Sequence, residues 1–545
     1  MKKLLYISLI AILALGLGGC KKFLDTKPTD TLTPQEYYGS EAKLTAALAG
    51  VYDQLGNENG MYGSAMITEF DYSDESWGGF ATTTTGMSVY NFDFTNPRIA
   101  DLWKSCYIGI DRANRLIENI NIASMDSTAR EAILGEALFL RGYYYFTLVT
   151  RFGGVPMRLT AITSPADAQL PRTPVQEVYA QILNDMKAAE AKVLPMYSTA
   201  SRVYKTVVQG MLARVCLHMA GYPVNDQSKY AEALEWAKKV KASNQHSLNM
   251  YIDPKYVNFD PKFTPTSPYS QIFINQAQDL YDVKESMWEV EFKGNRTDGF
   301  NENGRIGNNI GIIFQPAAGT ALERDSGFCW GLVKVTGVLY NLYGTKDTLR
   351  RDWAIGNYSI NRLTGIRTPL LASNKHGRYP GKWRRSFELV TPKNKNYTPI
   401  NFPLLRYADV LLMLAEAENQ VNGPTLEAYE AVNMVRRRAF NAASLSEPNI
   451  NADAPAGLDK ASFQQFIEDE RARELCFESL RKLDLIRWNK FVSRMKDVSA
   501  DFTANGGGNA YGSLAGRNVN QRHLLFPIPA AEILLNKKLT QNPGW

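Results

Sequence analysis

The sequence predicts a mainly α-helical protein in which antiparallel helix pairs form a scaffold for a loop-rich, mixed binding face. Apolar residues recur at helical spacing from residue 34 to about 242, and again from about 405 to 488. Between about 245 and 400 this periodicity gives way to Gly, Asn, Pro and aromatic residues. The expected architecture is therefore two helical regions separated by a long irregular segment.

The first 19 residues have the pattern of an export signal. Lys2 and Lys3 precede an apolar run, 4–19, that is shorter than the roughly 20 residues a membrane-spanning helix requires. The run ends in "LGGC", which resembles the lipobox of bacterial lipoproteins, where the cysteine is lipidated and becomes the new N-terminus. We therefore expect residues 1–19 to be a lipoprotein signal peptide and Cys20 to carry a lipid anchor.

The expected mature chain is close to neutral. It has 59 basic and 55 acidic side chains, and this net charge of +4 is too small to suggest a nucleic-acid partner. Four further cysteines are separated by more than a hundred residues each, so they form no C-x-x-C metal or redox motif. We expect these four to be buried thiols: Cys106, Cys216, Cys329 and Cys476.

The N-terminal region, residues 20–244, is predicted to consist of helices. A first helix begins at Pro34, and a second spans about 98–120. The third, "REAILGEALFLRGYYYFTLVTRF", is apolar almost all round and stops at a Gly-Gly pair, so we expect a core helix. Three amphipathic segments follow, joined by brief loops.

Two segments resemble the paired helices of a tetratricopeptide repeat. They are residues 204–241 and 405–440. The pairs are degenerate and far apart in sequence, so a regular repeat array is not expected. The second pair belongs to a C-terminal region, 245–545, whose first part, 245–400, is the loop-rich face. Because the linker-like stretches are short, both regions are expected to pack as one body.

The irregular segment contains one clear strand pattern, "SMWEVEF", whose Trp288 we assign to the core. Long irregular segments in compact proteins are usually functional or disordered, and the many aromatic residues argue against disorder. We therefore expect the functional surface of the protein to lie in this segment, together with the loop 70–96.

Motifs of the common enzyme classes are absent from the sequence. It contains no G-x-S-x-G, H-E-x-x-H, G-x-x-x-x-G-K-[ST] or G-x-G-x-x-G, and its four histidines are scattered singly. We therefore expect no catalysis, no metal cluster and no cofactor.

The strongest set of carboxylates lies in "IEDERARELCFESLRKLDLIRW". Glu470, Glu474 and Glu478 recur every four residues and Arg481 follows, so on one continuous helix all four share a face. Same-face neighbours project in parallel and cannot lie on opposite sides of a glycosidic bond, as a glycosidase requires. We expect instead a structural ion-pair network with three residues of "RYADVLLMLAEAE". They are Arg406, Asp409 and Glu416.

Several segments, in order along the chain, resemble one known family. "CKKFLDTKP", "ALFLRGYYYFTLVTRFGGVP", "LLRYADVLLMLAEAENQ", "ERARELCFESLRKLDLIRW" and "LLFPIPAAEILLNKKLTQNPGW" resemble the SusD/RagB family of outer-membrane nutrient-binding lipoproteins. The resemblance implies a SusD-like helical scaffold, a loop-rich ligand face and no catalysis. It also implies a lipid-anchored position on the cell outer membrane, exposed at the surface, beside a SusC-like TonB-dependent transporter.

Ligand residues of this family lie in variable loops, so candidates are argued from the chemistry of a glycan. A sugar offers flat apolar C–H faces and a rim of hydroxyls, which match exposed aromatic rings beside polar side chains. "FDYSDESWGGF" supplies Tyr72, Asp74, Trp77 and Phe80. "RDSGFCWG" supplies Arg324, Asp325, Phe328 and Trp330. The alternative for each aromatic residue is a core position without ligand contact.

The leading hypothesis is a surface lipoprotein that captures an oligosaccharide or polysaccharide and passes it to the transporter. The alternative is RagB-like capture of peptides. A glycosidase is disfavoured by the missing motifs, and a structural lid without ligand contacts of its own is the remaining possibility.

Overall fold

The protein is described here from a computed structural model. The described residues are 32–79, 84–257, 264, 266–292 and 304–545. The signal peptide 1–19, Cys20 and Phe80 lie outside them.

Helices make up most of the described chain, as the sequence predicts. The N-terminal helices are α1 (Pro34–Tyr38), α2 (Glu41–Tyr52), α3 (Pro97–Asn119), α4 (Ser127–Phe152), α5 (Val175–Glu190), α6 (Lys205–Ala220) and α7 (Lys229–Ala242). The irregular segment contains the short helices α8 (Pro254–Val257), α9 (Pro268–Ala277), α10 (Ile306–Asn309), α11 (Ala321–Ser326), α12 (Gly337–Leu342) and α13 (Thr348–Ala354). The C-terminal helices are α14 (Tyr407–Asn422), α15 (Leu426–Ala439), α16 (Lys460–Leu475), α17 (Arg481–Arg487), α18 (Phe491–Asn505), α19 (Ser513–Asn518) and α20 (Ala530–Leu535).

The predicted first helix is in fact two helices. The first begins at Pro34, where Thr33 forms a capping box with Glu36, but it ends before Gly39. Ser40 then caps the second helix by accepting a hydrogen bond from the Lys43 amide.

The helix α4 is the central core helix that its composition predicts. Every residue from Phe139 to Phe152 is buried, including Arg141 and Arg151. It ends at Gly153, whose φ of 72° lies in the left-handed region that favours glycine.

The long helices pack on one another in chain order from α2 to α7. α7 then packs against α14, although the whole loop-rich segment separates them in sequence, and α14 contacts α15 and α16. The buried face of α7 includes Ala233 and Ala237, small residues that allow a close approach between helices. The two predicted helix pairs are therefore neighbours in space and belong to one array.

The strands form three antiparallel pairs within the described residues. They are β1 (Ser76–Gly78), β2 (Ser286–Val290), β3 (Val333–Val335), β4 (Tyr358–Ile360), β5 (Arg367–Pro369) and β6 (Phe402–Arg406). β1 pairs with β3, β2 with β6, and β4 with β5. The strand predicted in "SMWEVEF" is β2, and its partner β6 occupies the position where we predicted the start of a helix.

The β2–β6 pair attaches the loop-rich segment to the helical core. Trp288 of β2 is fully buried, and its ring lies edge-on to Phe139 (5.2 Å) and Tyr143 (4.9 Å) of α4. Its core assignment is therefore confirmed. The four cysteines outside the signal region are also buried and free, as predicted.

The helix predicted to continue past residue 475 ends there. Phe477 (φ 63°) and Ser479 (φ 62°) adopt left-handed backbone conformations, and a new helix, α17, begins at Arg481. The prediction that Glu470, Glu474, Glu478 and Arg481 share one helix face is therefore wrong, because the chain turns between the second and third glutamates.

Candidate functional site

The two segments predicted to contact a ligand meet in the folded protein. β1 and β3 pair in antiparallel register, with Trp77 opposite Lys334 and Gly78 opposite Val333. Beyond the strand, the Gly79 amide donates to the Leu332 carbonyl (2.7 Å). A single strand pair thus joins the loop after residue 70 to the segment that follows residue 324.

The first segment, however, buries two of its candidate aromatic side chains, Tyr72 and Trp77. Trp77 is only 5% exposed, and its indole N–H lies 3.1 Å from the Val335 carbonyl and 3.2 Å from that of His376. Its ring lies edge-on to Phe502 (5.3 Å). Tyr72 is 3% exposed, and burial raises its pKa. The expectation that these two rings face a ligand is therefore corrected: they are core residues.

Asp74 is also buried, because it holds two arginines of the C-terminal region. Its carboxylate accepts two hydrogen bonds of 2.8 Å from Arg481, and Arg494 approaches to 3.2 Å. Burial alone would raise the pKa of Asp74, but the two guanidinium groups hold it below its usual range. Its role is to fasten the loop to α17 and α18, not to contact ligand.

The second segment lies at the surface. Arg324 and Asp325 are exposed at the end of α11, and Trp330 is partly exposed. Phe328 is buried, with its ring edge-on to Trp330 (4.7 Å). Of the predicted residues in this segment, Phe328 therefore packs against Trp330 from the buried side, and the other three are at least partly exposed.

Lys334 and Tyr379, which sequence reasoning missed, lie beside this segment. The Lys334 ammonium lies 4.9 Å from the centre of the Trp77 ring and 5.6 Å from that of Tyr379. Burial lowers the pKa of Lys334, and no carboxylate of the described residues lies within ion-pair distance of it. A partly exposed tyrosine and an amine that can donate hydrogen bonds thus lie next to the chain segment that contains Trp330. We call Trp330, Lys334 and Tyr379 the aromatic surface.

Two glycines shape the aromatic surface. A Cβ on Gly331 would lie 2.7 Å from the Tyr379 ring, and a Cβ on Gly79 would lie 2.7 Å from the Gly331 carbonyl oxygen. Since only glycine permits both approaches, these residues let the Tyr379 ring and the β1–β3 pair pack closely. Glycine at 79 and 331 is the sequence signal that could have indicated this packing.

A cavity of about 730 Å³ lies elsewhere, between the end of α2 and the end of β2. Its wall carries Asp53, Glu58, Glu289 and Glu291. The Tyr52 hydroxyl, also in the wall, donates to the Glu136 carboxylate (2.6 Å). This cavity presents acidic groups more than ring faces, so it fits a glycan less well than the aromatic surface does.

Two of the predicted carboxylates reach Arg406, the last residue of β6. Arg406 Nη1 lies 3.0 Å from Glu474, and its Nε and Nη2 each lie 2.8 Å from Glu478. Glu470 pairs with two further arginines and with Arg350, at 2.7 Å, and Arg350 also lies 3.0 Å from Glu474. All three glutamates are buried, so the structure encloses these carboxylates among guanidinium groups.

The other members of the predicted network pair elsewhere. Asp409 accepts a hydrogen bond from Arg471 Nη1 (2.6 Å), and Glu416 accepts from Arg487. Arg481 pairs with Asp74, because the turn before α17 directs its side chain away from Glu470, Glu474 and Glu478. The prediction that Arg481 joins the network of these three glutamates is therefore wrong.

Two further properties bear on function. No helix within the described ranges is long and apolar enough to cross a membrane. Across the same ranges, no three or more His, Cys, Asp or Glu side chains are grouped as a metal ion would require.

Two family models match the chain at opposite ends. A SusD family model matches residues 356–545, and a model described as "Starch-binding associating with outer membrane" matches residues 22–217. The chain belongs to the SusD family.

Relatives of this SusD-family protein match along almost its whole length. It is 24% identical to SusD-like protein P25 of Formosa agariphila, over 96% of this chain and 95% of that one. It is 23% identical to the starch-binding protein SusD of Bacteroides thetaiotaomicron, over 100% and 99% of the two chains. The crystal structure of a SusD homologue from Bacteroides thetaiotaomicron is 28% identical, with a TM-score of 0.82 over 94% of this chain and 98% of that one.

Proposed function

We propose that this protein captures oligosaccharides or polysaccharides at the cell surface and passes them to a SusC-like TonB-dependent transporter. The surroundings of Lys334 carry the proposal. The Val335 amide donates to the Arg378 carbonyl (2.9 Å), which brings the partly exposed Tyr379 beside Lys334, and Lys334 has no acidic partner among the described residues. The partly exposed Trp330 lies four residues before this lysine. Ring faces stack on the apolar faces of sugars, and the ammonium donates to hydroxyls. The names of the starch-binding relative and of the matching family model support this ligand class.

The location that we propose is the outer membrane, reached through a lipid on Cys20. The family model that describes association with the outer membrane supports it. We infer that the protein binds its ligand without catalysis, since Glu470, Glu474 and Glu478 are enclosed by guanidinium groups and cannot act as paired acid and base.

Trp330→Ala tests the ligand site. Truncating a central aromatic contact commonly costs more than about 2 kcal/mol, so we expect roughly thirtyfold weaker binding of the best ligand in calorimetric titrations against a glycan panel. Trp236→Ala is the matched control, because Trp236 is likewise partly exposed but lies on α7 in the helical array. Its affinity for the same glycan should equal that of the wild type.

If the Trp330→Ala variant binds the glycan as tightly as the wild type does, the aromatic surface is not the ligand site. If no glycan binds and mixed oligopeptides do, capture of peptides replaces capture of glycans. If neither glycans nor peptides bind, the remaining hypothesis is a structural lid without ligand contacts of its own.

A further inference from the structure

A second cavity, of about 210 Å³, lies next to the aromatic surface. Its wall includes Cys329, the residue before Trp330, and the inner side of the hairpin formed by β4 and β5. Gly365, at φ 71° in the hairpin turn, lies where a Cβ would be 2.9 Å from Leu322 of α11, so the hairpin closes tightly over the cavity. Drug-sized ligands occupy roughly 300–1,000 Å³, so this smaller space fits one sugar unit or a substituent.

The wall of this cavity is cationic. Its lining includes Arg367, Arg384 and Arg385 and contains no aspartate or glutamate. Arg385 forms an ion pair with Glu388 (2.8 Å), and Glu388 lies outside the lining. The cavity therefore holds more positive than negative charge.

Arg367 is the guanidinium best placed to meet a ligand. It lies over the Tyr358 ring at 4.9 Å, and its Nη1 donates to the Thr264 hydroxyl (3.2 Å). No carboxylate within the described part of the chain forms an ion pair with it. Its remaining N–H groups form the planar fork that binds carboxylate or sulfate oxygens in pairs.

Arg384 forms the rigid back of the cavity. It stacks on Trp353 at 4.2 Å and donates to the backbone carbonyls of Gly381 (2.9 Å) and Asp352 (2.8 Å). Burial lowers its pKa, which shows that the positive charge there is poorly solvated.

We propose that this cavity binds the negatively charged group of an acidic sugar, a carboxylate or a sulfate ester, while the adjoining glycan chain lies on the aromatic surface. The inference rests on the proposed glycan-binding function and narrows it to acidic glycans. Carboxylate and sulfate share the required chemistry, which is a compact anion with several acceptor oxygens.

The test compares each acidic oligosaccharide with its own neutral form. The probes are an oligogalacturonate with its carboxyl-reduced form, and a sulfated galactan oligosaccharide with its desulfated form. A charge-assisted pair of hydrogen bonds corresponds to about 10- to 100-fold in affinity, so calorimetry should show at least one acidic form binding tighter by that factor. Whichever pair shows the preference identifies the bound group as a carboxylate or a sulfate. Added salt should weaken binding of the acidic form only.

Variants in the hairpin locate the effect. Arg367→Gln should abolish the preference for the acidic form while leaving affinity for the neutral form unchanged. Arg367→Lys should retain part of that preference, because lysine keeps the positive charge. Arg362→Gln is the matched control, because Arg362 is exposed in the turn of the same hairpin and does not line the cavity. It should behave as the wild type, and a thermal melt of each variant verifies folding.

Equal affinity for the acidic and neutral forms of both pairs, or a preference that survives Arg367→Gln, would overturn this inference. Neutral glycans that bind through Trp330 would then leave the proposed function intact. Absence of binding to every glycan, acidic or neutral, would overturn both.

Discussion

Arg406 illustrates why individual buried charges matter in this protein. Its side chain is fully buried, and it contacts Glu285, Glu474 and Glu478 at 2.8–3.1 Å. Removing a charge from water is costly, and only several close opposite charges and hydrogen bonds offset that cost. Each member of such a cluster therefore depends on the others being present.

Glu474→Gln should destabilise the protein strongly. Glu474 pairs with Arg350, Arg406 and Arg438, so the variant leaves buried guanidinium groups with too little negative charge. We expect the free energy of unfolding to fall by about 3–5 kcal/mol in denaturant titrations. Glu427→Gln is the control, because Glu427 pairs with Lys238 in a partly exposed position, where such pairs are worth about 1 kcal/mol or less.

The same variant should respond differently to acid. Burial would raise the pKa of Glu474, but Arg438, Arg406 and Arg350 hold it below its usual range. A carboxylate of depressed pKa stabilises the fold fully above its unfolded pKa of about 4.3, and this contribution is lost as the pH falls through the folded pKa. The difference in melting temperature between wild type and variant should therefore shrink at low pH; a constant difference would contradict the assignment.

Trp77 and Trp330 show that the burial of a tryptophan cannot be predicted from its sequence neighbours alone. Both tryptophans are flanked by glycines and acidic residues in sequence, yet one is buried and the other partly exposed. The difference arises because Trp77 finds Phe502 and two backbone carbonyls from distant parts of the chain. Such partners cannot be read from the neighbouring residues.

Short turns decide where side chains point at the scale of single elements. The left-handed residues Phe477 and Ser479 end α16 and redirect the chain, so Glu478 still reaches Arg406 while Arg481 meets Asp74 instead. Helical periodicity alone predicted a continuous helix here. Neither residue is a usual left-handed type, so the break has no local sequence signal.

Gly331→Ala should damage the aromatic surface through the turn that precedes β3. The new Cβ would lie 2.7 Å from the Tyr379 ring, on a backbone with φ of 62°. The left-handed backbone costs about 1–2 kcal/mol for alanine, and displacement of the ring should add to that loss and weaken glycan binding. Thermal unfolding and calorimetric titration measure the two effects.

Gly344→Ala separates backbone strain from ring displacement. Gly344 has the same φ of 62°, but a Cβ there meets nothing within 4 Å. It should lose stability through the backbone alone and keep its glycan affinity. A Gly331→Ala variant indistinguishable from this control would argue against a role for the Tyr379 position.

The arrangement of the whole molecule joins segments that are distant in sequence. The contact between α7 and α14 links the two helical regions, and the β1–β3 and β2–β6 pairs attach the irregular segment to them. The loops that we propose to bind ligand are thus supported by a packed helical scaffold, which positions a site more accurately than mobile loops alone.

Cys20→Ser should release the protein from the membrane without impairing its binding. Thioether formation requires the cysteine sulfur, so metabolic labelling with a radioactive fatty acid should mark the wild type and not the variant. The released variant should keep wild-type affinity for glycan and for the transporter in co-purification, since Cys20 precedes the described fold. Label retained on the variant would refute the lipobox, and failure of the wild type to co-purify would refute transfer to the transporter.

The sequence by itself determined the helical class, the core helix α4, both helix pairs, the strand β2 and the burial of the four cysteines. These features depend on hydrophobic periodicity and on caps such as Thr33 and Gly153, which are local properties of the chain.

Only the tertiary structure decided which loop residues are buried and which are exposed. It buried Tyr72, Asp74 and Trp77, left Trp330 partly exposed, and brought Tyr379 beside Lys334 of β3. It also gathered three arginines into the cavity under the β4–β5 hairpin. The physical reason is that burial and charge balance are sums over contacts between distant segments, so a side chain of the same type binds ligand or fills the core according to its partners.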